Sequence, residues 1–123
     1  MSARKKAIVA VVDDDKHLRE SLQDLLEAEG FVTHLYASAE DFLSKFESIP
    51  ADCILADVKM TGMSGIDMLR ILRTKVGCPP VLIMTSYGDT RMQTIAFSAG
   101  AMAFLSKPLD SRDLISCIKR AVS

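Results

Sequence analysis

The chain has 123 residues, 49% hydrophobic and 25% charged, enough for one domain with a sizeable core and too few for two. Fifteen basic residues against sixteen acidic ones leave a formal charge of −1, which excludes the broad basic field of a nucleic-acid binder. The three cysteines, Cys53, Cys78 and Cys117, are far apart and include no C-x-x-C pair, so neither a disulfide framework nor a zinc site is expected; Cys53 and Cys117 read as packing residues.

The basic opening MSARKK is followed by six apolar residues, Ala7 to Val12, and then by Asp13, Asp14 and Asp15. That run is too short for a signal peptide or a membrane span. Residues 1–6 read as a flexible tail and the protein as cytoplasmic. Ala7 to Val12 has the length of a strand, and Asp15 is placed to cap the helix after it. The apolar stripe of that helix is Leu18, Leu22, Leu25 and Leu26, stopping near Gly30. A second strand is expected over Val32 to Tyr36, then a helix announced by Ser38 three residues ahead of an acid.

The third strand, Cys53 to Ala56, finishes on Asp57 and enters a loop with Gly62 and Gly65, read as turn glycines, before Ser64 opens another helix. Val81 to Met84 forms the fourth strand and runs into Thr85 and Ser86. The helix from Asp89 to Ala99 follows, closed by Gly100. The fifth strand, Ala103 to Leu105, leads to Ser106, Lys107 and Pro108. Asp110 then caps a last helix whose stripe is Leu114, Ile115, Ile118, Ala121 and Val122.

Strand and helix thus alternate five times. Strands one, three and four are apolar without alternation, as strands covered on both faces must be. Right-handed crossovers then give a doubly wound, three-layer α/β fold with a parallel sheet and helices on both faces.

In such sheets ligands sit outside the carboxyl ends of the strands, where this chain carries Asp13, Asp14, Asp57, Thr85 and Lys107. Three carboxylates in one crevice repel, and at least one protonates unless a cation intervenes. All-oxygen ligation suits Mg²⁺ better than zinc or iron. The expected chemistry is phosphoryl transfer, with Asp57 as nucleophile, Lys107 and the metal on phosphate oxygens, and Thr85 as a hydroxyl donor.

With VVDDD, LADVKM, IMTS and FLSKP at four successive strand ends, the sequence resembles the receiver domain of bacterial two-component response regulators over essentially its whole length. GDTRMQTIAFSAGAMAFLSKP is most similar to the branch with a helix-turn-helix output domain. The resemblance implies a flavodoxin-like strand order 2-1-3-4-5. It also implies a phosphoacceptor at Asp57, a Mg²⁺-organising pair at Asp13 and Asp14 (with Mn²⁺ as a substitute), and a metal ligand from the Lys59 backbone carbonyl. Thr85 matches the switch hydroxyl, Phe104 the switch aromatic and Lys107 the phosphate-contacting lysine; Lys107-Pro108 would be cis. The phosphodonor would be a histidine kinase or phosphotransfer protein. The fourth helix, fifth strand and fifth helix would form the face for homodimerisation or output. Residues 1–123 would be one receiver domain, either a stand-alone relay or part of a transcription regulator whose DNA-binding module is absent from this chain.

One departure is Thr61, where the family usually has proline, and a more mobile loop is expected from it. Lys59 and Tyr87 are expected to flank the phosphoryl entry and to slow hydrolysis. Met60, Met63, Met68 and Met92 read as packing, with Met92 and Ala96 on a helix facing partners; His17 and His34 are assigned no role. The rival reading as an aspartyl-phosphate phosphohydrolase lacks its second acid, since Asp57-Val58-Lys59 departs from D-x-D. A flavin-binding relative would set an anionic cofactor against three acids.

Overall fold

The five apolar runs form one parallel sheet. The structure, a computed structural model, describes residues 6–48, 50–86 and 90–123. The order is β1 (Ile8–Val12), α1 (Lys16–Ala28), β2 (Val32–Tyr36), α2 (Ala39–Lys45), β3 (Cys53–Asp57), α3 (Gly65–Leu72), β4 (Val81–Thr85), α4 (Thr90–Ala99), β5 (Ala103–Ser106) and α5 (Ser111–Val122). The strands lie in the order β2-β1-β3-β4-β5, as the resemblance implied. The first five residues of the expected tail, Tyr87, and Asp89 at the expected start of the fourth helix lie outside the described residues.

The pleat divides the core in two. Odd-numbered Val9, Val11, Cys53 and Leu55, with Leu82 and Met84, pack on Leu22 and Leu26 of α1 and Leu114 and Ile118 of α5. Their alternates Ala10, Val12, Ile54, Ala56, Val81 and Ile83 pack on Phe42 of α2, on Ile66, Met68, Leu69 and Leu72 of α3, and on Ala96 of α4. Every residue of β3 and β4 is buried, which accounts for the missing alternation, because helices cover both faces. Cys53 is buried and Cys117 packs partly buried against the α1 and α5 side.

Helix starts follow the sequence closely. Asp15, Ser38, Ser64 and Asp110 each accept a hydrogen bond from a backbone N–H of the first turn, a contact that stabilises a helix by about 1 kcal/mol. Gly30, just after α1, takes φ +93°, the left-handed value that ends helices without a Cβ penalty.

Attachment of the helices is uneven. Five residues of α3 are buried but only Ala96 of α4, with Met92, Ile95 and Ala99 partly buried beside it. Ala96 therefore faces the sheet, which leaves any partner contact of α4 to its other residues. Phe97 of α4 and Met102 before β5 are the exposed large apolar residues on that side.

Candidate functional site

The parallel register aligns the strand ends: Val12 lies opposite Ala56, Asp57 opposite Met84, and Thr85 opposite Ser106. Three strands run one residue further than expected, because Asp57, Thr85 and Ser106 pair within the sheet. Period-two alternation carries Asp13 and Asp57 onto the face of Val11 and Leu55, and Thr85 onto the face of Ile83. The two acids therefore converge at the topological switch between β1 and β3.

Ligand oxygens of Asp13, Asp14 and Asp57 lie within 4.8 Å of one another. Asp13 is 1% exposed and Asp57 6%, whereas Asp14 reaches solvent. The Lys107 Nζ lies 3.1 Å from Asp13 Oδ2 and 3.3 Å from Asp57 Oδ1, and its own backbone N–H donates to the Thr85 carbonyl at 2.8 Å. The Lys107–Pro108 bond is cis. Thr85 is fully buried at the end of β4. Phe104 is partly buried against the core shared by α2, α3 and α4, and Lys59 is exposed just past β3.

Charge follows from this geometry. Burial, and then the neighbouring Asp13, push the Asp57 carboxyl above the usual carboxylate range, with Lys107 pulling it back. For Lys107 burial works to lower the pKa, but the hydrogen bond and charge of Asp13 and the charge of Asp57 outweigh it and raise the ammonium above its ordinary value. Three carboxylates against one ammonium leave two negative charges. A divalent ion would neutralise them.

The donor set fits a hard cation. An octahedral ion with oxygens at about 2.1 Å separates neighbouring ligands by about 3.0 Å and opposite ones by about 4.2 Å. Three oxygens within 4.8 Å need little closure to share it, or one can bind through water. With neither imidazole nor thiolate in the cluster, zinc and iron are poorly served.

Several contacts here carry no sequence signal. Arg19 Nη1 donates to the Asp13 carbonyl at 2.7 Å, and the Asp15 N–H donates to Asp13 Oδ1 at 2.8 Å. Thr61 donates twice to Asp14, so the loop after β3 is tied at Thr61 to the end of β1. Met63 N–H donates to Glu40 Oε2 at 3.1 Å, and Gly62 takes φ +85° between these ties. Gly65 is not the turn glycine expected of it. It opens α3, and a Cβ there would run into the Asp57 carbonyl oxygen.

A family model for the response regulator receiver domain matches residues 9–119. The transcriptional regulatory protein FixJ of Bradyrhizobium diazoefficiens is 35% identical over 95% of this chain, which spans 57% of FixJ. The DNA-binding transcriptional regulator NtrC of Proteus hauseri is 33% identical over 97% of this chain, which spans 25% of it. Among solved structures, a receiver domain from Clostridium thermocellum aligns with a TM-score of 0.87 at 30% identity, over 94% of each chain. The receiver domain of a Francisella response regulator aligns at 0.89 and 25% identity, over 95% of this chain and 97% of its own.

Proposed function

Because this chain belongs to the family of response regulator receiver domains, we propose that residues 1–123 are a phosphorylation-controlled switch that accepts a phosphoryl group on Asp57. The observation that carries the reading is the convergence of Asp13, Asp14 and Asp57 on one crevice with the Lys107 ammonium between two of them. The family match favours this reading over a phosphohydrolase.

An oxygen of the Asp57 carboxylate attacks phosphorus of a phosphohistidine on a histidine kinase or phosphotransfer protein. A P–O bond forms, the P–N bond breaks, and its electron pair returns to the imidazole. Lys107, already poised on Asp57, neutralises a phosphoryl oxygen, and the Thr85 hydroxyl donates to another. Asp13 and Asp14, with Asp57 and the Lys59 carbonyl, would hold Mg²⁺, or Mn²⁺ in its place, which offsets charge on the transferring group. The same site assists its own phosphorylation and hydrolysis without acting as a turnover enzyme.

The output face is α4, β5 and α5, where exposed Phe97 and Met102 support homodimerisation or domain contact, and Thr85 and Phe104 carry the signal to it. NtrC's description as a DNA-binding regulator supports a DNA-binding module working with this domain, in the cytoplasm. No helix among the described residues is long and apolar enough to cross a membrane.

The test is incubation with a small phosphodonor, with and without Mg²⁺, followed by intact mass of wild type and Asp57→Asn. A metal-dependent gain of one phosphoryl group, absent from the variant, is expected. Labelling that persists in Asp57→Asn would refute the assignment.

A further inference from the structure

Asp14 is the exposed member of the acidic cluster, and an exposed carboxylate ordinarily samples several rotamers. Here it is held. The Thr61 N–H donates to Asp14 Oδ2 at 2.9 Å, and the Thr61 hydroxyl donates to the same oxygen at 3.2 Å. The bonded residues are 47 positions apart, so the contact fastens the loop after β3 to the end of β1. Two residues on, the Met63 N–H bond to Glu40 fastens that loop to α2.

We propose that Thr61 is a positioning residue for the cation site, fixing Asp14 so that its other oxygen, Oδ1, faces the ion shared with Asp13 and Asp57. This rests on the metal-dependent reading above. A carboxylate oxygen has two lone pairs, and the two donors of Thr61 occupy both on Oδ2. A cation entering the crevice is thereby directed to Oδ1. The ordering entropy of the side chain is spent in folding and not at binding, as for other residues that orient metal ligands from behind. Threonine supplies both donors, valine only the N–H, and proline neither.

Donors on a carboxylate also draw charge from it, which acts in the opposite direction, and the sign of the measured change separates the two. Mg²⁺ affinity is measured by calorimetric titration of wild type, Thr61→Ser, Thr61→Val and Thr61→Pro, alongside the melting temperature of each without metal. Thr61→Ser should bind within about twofold of wild type. Thr61→Val should bind several-fold more weakly, and Thr61→Pro, which lacks both donors, at least as weakly. The metal-free melting temperature of Thr61→Val should hardly move, and this variant carries the test if the proline variant misfolds. Unchanged or tighter Mg²⁺ binding in Thr61→Val overturns the proposal, as does a loss of metal-free stability with affinity intact. Absence of Mg²⁺ binding by wild type itself would instead bring down the reading of the site, and this proposal with it.

Discussion

Replacing Asp57 with asparagine tests the charge arrangement independently of any phosphoryl group. Asp57 has oxygens of Asp13 and Asp14 within 4.8 Å and the Lys107 ammonium at 3.3 Å. At an effective dielectric of about 20, a like charge no further than 4.8 Å opposes ionisation by at least about 3.5 kcal/mol, and the ammonium at 3.3 Å favours it by about 5 kcal/mol. Exposure of Asp14 screens its share to roughly half, so the repulsion at least offsets the attraction and the burial of the carboxylate is left without compensation. Asparagine keeps the shape and an oxygen for Lys107. Metal-free Asp57→Asn is therefore expected to be more stable than wild type at neutral pH by about 1–2 kcal/mol, a rise of several degrees in Tm. A carboxyl whose folded pKa is raised destabilises the fold once ionised. The advantage is full above the raised pKa and disappears as pH falls toward the ordinary value of 3.8. Mg²⁺ at 100 times its Kd stabilises wild type by about 2.7 kcal/mol and reverses the order. The assay is thermal and urea denaturation followed by circular dichroism, from acid to neutral pH, with chelator or with Mg²⁺. A metal-free variant that melts below wild type at neutral pH, or a difference unchanged down to acid pH, would refute the reasoning.

Lys107→Met leaves Asp13 and Asp57 facing each other without a counter-charge; with the lysine itself 18% exposed, a loss of about 2–3 kcal/mol is expected, partly restored by Mg²⁺ in denaturation curves. The contribution of this lysine is full below 10.5, its ordinary pKa, and fades as pH rises through the higher folded value, so wild type and Lys107→Met should converge in alkaline melts. Gly65→Ala forces a methyl against the Asp57 carbonyl, which should lower stability by about 1–3 kcal/mol; an unchanged melting temperature would contradict that packing. The Cys53 thiol is buried and pushed up to about 12. Alkylation of the native protein at mildly alkaline pH should label Cys78 and Cys117 well before Cys53, read by peptide mass.

Much of this architecture is legible in the sequence because burial on both faces removes alternation from β1, β3 and β4, and because four helix starts are written as short polar caps. The acids at the site are legible for a related reason. Asp13 and Asp57 close runs of buried residues, where a carboxylate has no structural purpose. Thr61 is not legible in that way, since nothing local reveals that its two donors reach an acid 47 residues away. Gly65 shows the limit of composition: the residue type is visible, but the close approach of the Asp57 carbonyl is a tertiary fact. The seating of α4 is legible as well, since Met92, Ile95, Ala96 and Ala99 recur at i, i+3, i+4 and i+7 and share the face turned to the core, with Phe97 standing off that stripe.

The uneven seating of the helices has a consequence for how a signal can leave the site. Each buried methyl or methylene contributes about 0.8 kcal/mol, so α4, with Ala96 as its one fully seated side chain, is the helix that lifts most cheaply, while α3 is riveted by four, Ile66, Met68, Leu69 and Leu72. Sub-global opening begins where such anchorage is thinnest. On the switch reading proposed above, a change of a few kcal/mol at the neighbouring end of β4 would shift the population of α4 positions while the sheet beneath stays closed.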